Sequence, residues 1–312
     1  MNAGVKWSIF VFFASVMALA ATVIFWCSWY SSIDHTEKIH SRHKPLLSAQ
    51  DFVLADSGRY EETLFTLTDR NGRVFTGHLR KPVRTEGSLP AIFIMGGVGT
   101  GAKAVRLVNL DQPAVLCAMD YPPYTKGKIK LAELPGMVKT VNSAAEEAVD
   151  RTFNVLDYLC SRQDVDTSRV SVLGASFGVP FAVVAAALDP RVKGLVLIHG
   201  TADLEGLIDW SLKREVPFAP LRKASSKLLG ALVSPYEPAS YIGLVAPRPL
   251  LMINSREDQR IPIPGVELLY EKAAEPKELI WQSCEHIHPT NRELIESLTS
   301  TAAVWLEKKG LL

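Results

Sequence analysis

From about residue 60 onward, short apolar runs alternate with longer stretches of helical period. The segments "ETLFTLT" and "RVFTGHLRKP" flank Asp69-Arg70-Asn71-Gly72, a turn signal between two strands, and predict an antiparallel hairpin. "PAIFIM" and "PAVLCAMDY" read as buried strands, the first ending at "GGVGTG". In "NSAAEEAVDRTFNVLDYLCSR", Val149, Phe153, Leu156 and Cys160 share one helical face, with Asn142 or Ser143 as the N-cap. Strands follow in "RVSVL", "VKGLVLIHG", "RPLLMINS" and "ELIWQSC". "RELIESLTSTAAVWLEKK" closes the chain as a helix that aligns Ile295, Leu298, Ala302 and Trp305.

A hairpin followed by repeated strand-helix units predicts an α/β fold, a mostly parallel central sheet with helices on both faces. No internal repeat is present. One segment breaks the rhythm: residues 203 to about 245 carry helical patterns near "LEGLIDWSL" and "SSKLLGALV" between two strands. An insertion there is expected to form a short helical lid within a domain of residues 59–312.

The N-terminus has another character. Trp7 to Tyr30 is an uncharged apolar stretch of 24 residues, enough to span a hydrocarbon layer of ~30 Å. Trp7, Trp26, Trp29 and Tyr30 cluster near its ends, as membrane-interface aromatics do. Residues 1–30 are therefore expected to be a single-pass membrane anchor. A secretory signal with Ala18-Leu19-Ala20 as cleavage site is the competing reading; the apolar run continuing past it argues for retention. Lys6 on one side and Lys38, Arg42 and Lys44 on the other leave the side of the membrane open. Residues 31–58 are polar and of mixed charge, and read as a juxtamembrane linker. His35, His40 and His43 within it lack a recognised metal-ligand spacing.

Composition adds exclusions. The 312 residues are 47% hydrophobic and 21% charged, with a net charge of +1 and no basic run in the body. That balance argues against a nucleic-acid partner. Cys27, Cys117, Cys160 and Cys284 show neither metal nor redox spacing and are too few for a disulfide framework.

The chemistry gathers around Gly174-Ala175-Ser176-Phe177-Gly178, a G-x-S-x-G pattern between a Val-rich run and an apolar helix. A sharp strand-to-helix turn projects a serine hydroxyl clear of the sheet, and small flanking residues let neighbouring backbone approach. A hydroxyl needs a base to become a nucleophile, and the base needs an orienting acid. Asp258 lies just beyond the "RPLLMINS" strand and His286 just beyond "ELIWQSC". The order Ser176, Asp258, His286 brings three strand ends to one edge. Glu257 and Asp203 are rival acids, and His288 is a rival base. The oxyanion donors are expected from Phe177 N–H and from the loop after "PAIFIM", Gly97 first and Val98 next. His199, in "IHGTAD", follows the wrong strand for an oxyanion role and is expected to bond within the core or pocket rim.

From about residue 60 to the end, the chain resembles the α/β-hydrolase superfamily, and within it the dienelactone-hydrolase and prolyl-oligopeptidase-like branches. "DYLCSRQDVDTSRVSVLGASFG" is similar to their helix-strand-elbow passage, and the D-x-x-I-P run from Asp258 to Pro262 to their acid loop. The resemblance implies a serine hydrolase with a Ser176, Asp258, His286 triad and no cofactor or metal. It departs from dienelactone hydrolases in carrying Ser176 where they carry Cys, and from many relatives in carrying Met95 where they carry His. The expected activity is cleavage of a carboxylic ester or thioester of a small-molecule or lipid-like acyl substrate. Peptidase or acyltransferase chemistry on the same triad stays open, as does a silent membrane-tethered binding module. The oligomeric state stays open too.

Overall fold

The computed structural model describes residues 3–56, 58–83, 87–97, 99–123 and 134–312. The chain divides into two compact units. One comprises Met1–His35 with Leu204–Pro235; the other comprises Thr36–Asp203 with Tyr236–Leu312.

The larger unit is built on a nine-stranded sheet. Its strands are β1 (Leu46–Asp56), β2 (Tyr60–Asp69), β3 (Val74–Pro82), β4 (Leu89–Met95), β5 (Val115–Met119), β6 (Val165–Ala175), β7 (Gly194–Ile198), β8 (Leu250–Ser255) and β9 (Lys277–Gln282). They lie in the order β1-β2-β3-β5-β4-β6-β7-β8-β9. Pairing is antiparallel from β1 to β5 and parallel from β5 to β9. β4, β5, β7 and β8 are buried at every residue, as strands covered on both faces must be. Ile92, Ile94, Leu173, Val196, Ile198, Leu251 and Ile253 pack on one face with Leu298, Ala302 and Trp305 of the closing helix α9 (Arg292–Lys308). Gly174, on the opposite face, backs onto Ala182 of α4 (Val179–Leu188). Met95 on that face meets Thr152 of α3 (Leu134–Ser161).

The hairpin turn forms around Asp69. Its carboxylate accepts from the backbone N–H of Asn71 and Arg73 at 2.8 and 3.0 Å, and Gly72 takes φ +77°. Two expectations need correction. Residues 46–56, read as linker, form edge strand β1, and α2 (Thr36–Arg42) precedes it. β1 holds to β2 by main-chain bonds along one edge and leaves Leu47, Phe52, Val53 and Leu54 exposed, so it lacks the alternation that marks a half-buried strand. His43, also read as linker, pairs with Asp157 at 3.1 Å. Helix α3 begins at Leu134, ahead of the cap expected at Asn142 or Ser143, which lie inside it.

The smaller unit contains α1 (Ala3–Ser31), α5 (Leu204–Ser211) and α6 (Ala219–Val233). Residues 203–245, expected as one lid, are divided: the segment from Tyr236, with α7 (Pro238–Tyr241), belongs to the larger unit. Phe10–Ser31 of α1 is long and apolar enough to cross a membrane by length and composition. A remaining helix, α8 (Ile263–Lys272), follows β8.

Candidate active site

β6 ends at Ala175, one residue before the serine, and α4 begins three residues after it. Ser176 has φ +52°, the left-handed region that a non-glycine residue occupies only under constraint. The constraint comes from both sides. A Cβ on Gly174 would lie 2.6 Å from Ala182 Cβ, and a Cβ on Gly178 would collide with the backbone carbonyl of Met95. Pro180 sits in the first turn of α4, where its missing N–H costs nothing. The turn is thus clamped between the neighbouring strand and its own helix, with the Ser176 hydroxyl as its projecting group.

Asp258 and His286 arrive from the ends of the last two strands. Ser176 Oγ lies 2.8 Å from His286 Nε2, and His286 Nδ1 lies 2.7 Å from Asp258 Oδ2. With Nδ1–H donating to the carboxylate, Nε2 is left as the acceptor facing the serine. Asp258 is 8% exposed, and its other oxygen accepts from the N–H of Arg260 and Ile261 at 2.8 and 3.2 Å. Burial opposes its ionisation, but the hydrogen bond and charge of His286, with Arg260 N–H, outweigh burial and hold the carboxyl below its ordinary range. The rivals lie elsewhere. His288 is exposed and bonds Thr290 Oγ1 at 2.8 Å, and Glu257 and Asp203 are exposed.

Gly97 and Phe177 line a cavity of about 270 Å³ together with Ser176, Arg260 and His286. Its apolar wall includes Ile94, Ala104, Leu107, Val108, Leu173 and Ile198. Val98, the second-choice oxyanion donor, lies outside the described residues. Beside Gly97, Tyr121 donates its hydroxyl to the Gly96 carbonyl at 2.8 Å, and burial pushes its phenol up. Its ring also meets the Phe177 ring edge-on, with centroids 5.2 Å apart. Tyr121 therefore ties the loop after β4 to the residue after Ser176.

Two supporting residues carry no motif that would mark them in the sequence, and a third bonds within the core as expected. Tyr121 is one. Ser255 is another: its Oγ donates to the Cys284 carbonyl at 2.5 Å and accepts from Cys284 and Glu257 N–H at 3.1 Å each. That hydroxyl stitches together the loops bearing Asp258 and His286. His199 is the third. It is wholly buried with φ +51°, its Nδ1 accepts from Ile287 N–H at 2.9 Å, and its Nε2 faces Cys284 Sγ at 3.7 Å. The same Nδ1 stands 3.2 Å from Asp258 Oδ2, and the His199 and His286 rings are 5.3 Å apart. Burial lowers the His199 pKa to about 4, the Asp258 charge opposing and His286 reinforcing that shift, so the ring is neutral at pH 7.

His199, Asp258 and His286 could in principle share a metal ion, since one ligand atom of each lies within 4.8 Å of the others. Those atoms are already engaged by the His286–Asp258 bond and by Ile287 N–H.

A doubly covered parallel sheet, a strained serine on a strand-to-helix turn, and an acid and a histidine after later strands define the class of fold: the chain has an α/β-hydrolase fold. Comparison with known proteins is consistent with this. Residues 142–292 match the prolyl oligopeptidase family. The "Alpha/beta hydrolase domain-containing protein WAV2" of Arabidopsis thaliana is 30% identical over 38% of this chain. The match spans 39% of that relative's length. The "Putative hydrolase YtaP" of Bacillus subtilis (strain 168) is 25% identical over 66% of this chain and 72% of its own. Among solved structures, acetyl xylan esterase 1 from Thermoanaerobacterium sp. JW/SL YS485 superposes with TM-score 0.63 at 17% identity, covering 90% of this chain and 93% of the other. That level of identity speaks for the fold.

Proposed function

We propose that the protein is a membrane-anchored serine hydrolase that cleaves carboxylic esters or thioesters through an acyl-enzyme. The single observation that carries the reading is the line of short hydrogen bonds from Ser176 through His286 to Asp258, beside an apolar cavity. Ser176 Oγ attacks the acyl carbon while His286 Nε2 takes the hydroxyl proton. Asp258 holds the ring in the tautomer that leaves Nε2 free and stabilises the imidazolium. The N–H groups of Phe177 and Gly97 are the proposed donors to the oxyanion, each worth about 3–4 kcal/mol at the transition state. His286 then passes its proton to the leaving alcohol or thiol. Water, deprotonated by the same ring, releases the acid and regenerates Ser176. A cavity of about 270 Å³ is at the small end of ligand pockets, which favours a compact acyl group. The apolar length of α1 supports anchoring to a membrane.

The test is labelling by a fluorophosphonate together with turnover of p-nitrophenyl acyl esters of graded chain length. The wild-type chain is expected to react with both, fastest on short acyl groups, and Ser176→Ala with neither. A folded wild type that takes up no fluorophosphonate, or a labelled Ser176→Ala, refutes the mechanism. Retention in the membrane after alkaline carbonate washing tests the anchor separately. The prolyl oligopeptidase match favours one second reading, a peptide substrate for the same serine; peptide p-nitroanilides in the same screen decide between them.

A further inference from the structure

The unit formed by α1, α5 and α6 holds a surface that the chemistry above does not use. α5 and α6 make a close hairpin: a Cβ on Gly230 would lie 2.8 Å from Glu205 Cβ. Ser226 and Gly230, four residues apart, are buried on one side of α6. Leu221 and Leu228, seven apart, share the other side and are exposed. Phe218, ahead of α6, is 66% exposed, and Trp210 of α5 is 41% exposed. Lys213 Nζ lies 3.8 Å above the Trp210 ring, and Lys213, Arg214 and Lys223 all reach solvent. Aromatic and aliphatic side chains among exposed lysines and arginine match the side-chain composition of a helix lying in a lipid headgroup layer.

α1 fixes the level of this surface. α6 packs against α1, and Cys27 of α1 is only 2% exposed. From Trp7 to Trp26, α1 rises about 28 Å at 1.5 Å per residue, close to the ~30 Å hydrocarbon thickness. Trp26, stacked on Tyr30 with centroids 5.3 Å apart, belongs to the aromatic belt at one boundary. Cys27 is the next residue. The helix packed on α1 at its buried end therefore stands at the headgroup level, where Lys227 and an exposed Leu221 are both at home.

We propose that the α5–α6 hairpin is a membrane-interface element. Its Trp210, Phe218, Leu221 and Leu228 dip into the bilayer boundary, and its lysines meet anionic headgroups. The inference rests on the anchored reading of α1 and extends it from a tether to a built lipid surface.

The experiment uses the full chain in vesicles of phosphatidylcholine, with or without phosphatidylglycerol. An environment-sensitive fluorescent amino acid is placed at Leu221 or Leu228, and at exposed Glu296 of α9 as control. Quenching by lipids with a nitroxide near the headgroup is then measured. Quenching at 221 and 228 is expected to exceed that at 296 roughly threefold, to rise with anionic lipid, and to lose that rise in Lys213→Glu/Lys223→Glu. A chain that resists carbonate washing but is quenched no more at 221 and 228 than at 296 overturns this inference and leaves the anchor intact. A fluorophore at 221 that is shielded from water yet unreached by the lipid nitroxide points to a second copy on that face, and also overturns it. Release of the chain by carbonate removes the anchor and the inference together.

Discussion

His199 offers a prediction whose size follows from its surroundings. In the unfolded chain its imidazole titrates near pH 6.5; within the fold, burial lowers that to about 4. Between those values the unfolded chain binds a proton that the folded one refuses, so stability falls as the pH drops. The contribution is fully present above pH 6.5 and is lost on the way to pH 4. A gap of this size is worth about 3 kcal/mol, of which about 2 kcal/mol is spent between pH 7 and pH 4.5. The Asp258 carboxyl, held low by His286, sheds its own contribution at lower pH in the same direction, so the informative quantity is a difference. His199→Asn keeps an acceptor for Ile287 N–H and tolerates the positive φ, but does not titrate. Denaturant unfolding of both proteins in detergent micelles at pH 7 and pH 4.5 makes the comparison. Wild type is expected to lose about 2 kcal/mol more than the variant over that interval. Parallel losses would refute the assignment of a neutral, desolvated His199. The wild-type chain losing less than the variant would refute it more strongly, because it would require a ring that is protonated beside Asp258.

Two further substitutions probe the turn and its clamp. Gly178→Ala drives a methyl into the Met95 main-chain carbonyl, with no flexible side chain there to yield; a loss of about 3 kcal/mol is expected, read as a lowered Tm. An unchanged Tm would mean that α4 can shift away from β4 at little cost. Tyr121→Phe removes the donor to the Gly96 carbonyl, at about 1–3 kcal/mol for a carbonyl left unpaired; esterase kcat is expected to fall roughly tenfold with the far-UV dichroism unchanged, and an unaltered kcat would show that the loop holds its place without the clamp.

The parallel half of the sheet was legible because strands buried on both faces are written as nearly unbroken apolar runs, as in "PAIFIM" and "GLVLI". Ser176 and Asp258 could be picked out because each follows such a run, His286 because it follows the shorter apolar "LIW" of the partly buried β9, and parallel strands bring their ends to one edge. β1 was not legible, since an edge strand held mainly by main-chain bonds places few demands on its side chains. The start of α3 was missed because Asn142 and Ser143 look like caps, while "LPGMVKT" offers its proline earlier, in the first turn. His199, Tyr121 and Ser255 act through partners 25 to 88 positions away, Ser255 on Cys284, Tyr121 on Gly96, His199 on Ile287. No local pattern records such distances. The gathering of residues 204–235 with the N-terminal helix has the same cause.

The strand order also sets an unequal mechanical footing for the two ends of the Ser176–His286 bond. Ser176 leaves β6, which has β4 on one side and β7 on the other; moving it means parting the middle of the sheet. His286 leaves β9, the terminal strand, only partly buried along its length and held on one side alone, by β8. Local opening starts where fewest contacts must break. The histidine can therefore swing out and return while the serine stays where the core keeps it. Under mild denaturant or heat, activity is set to fade before the fold does, and to come back when the edge re-forms.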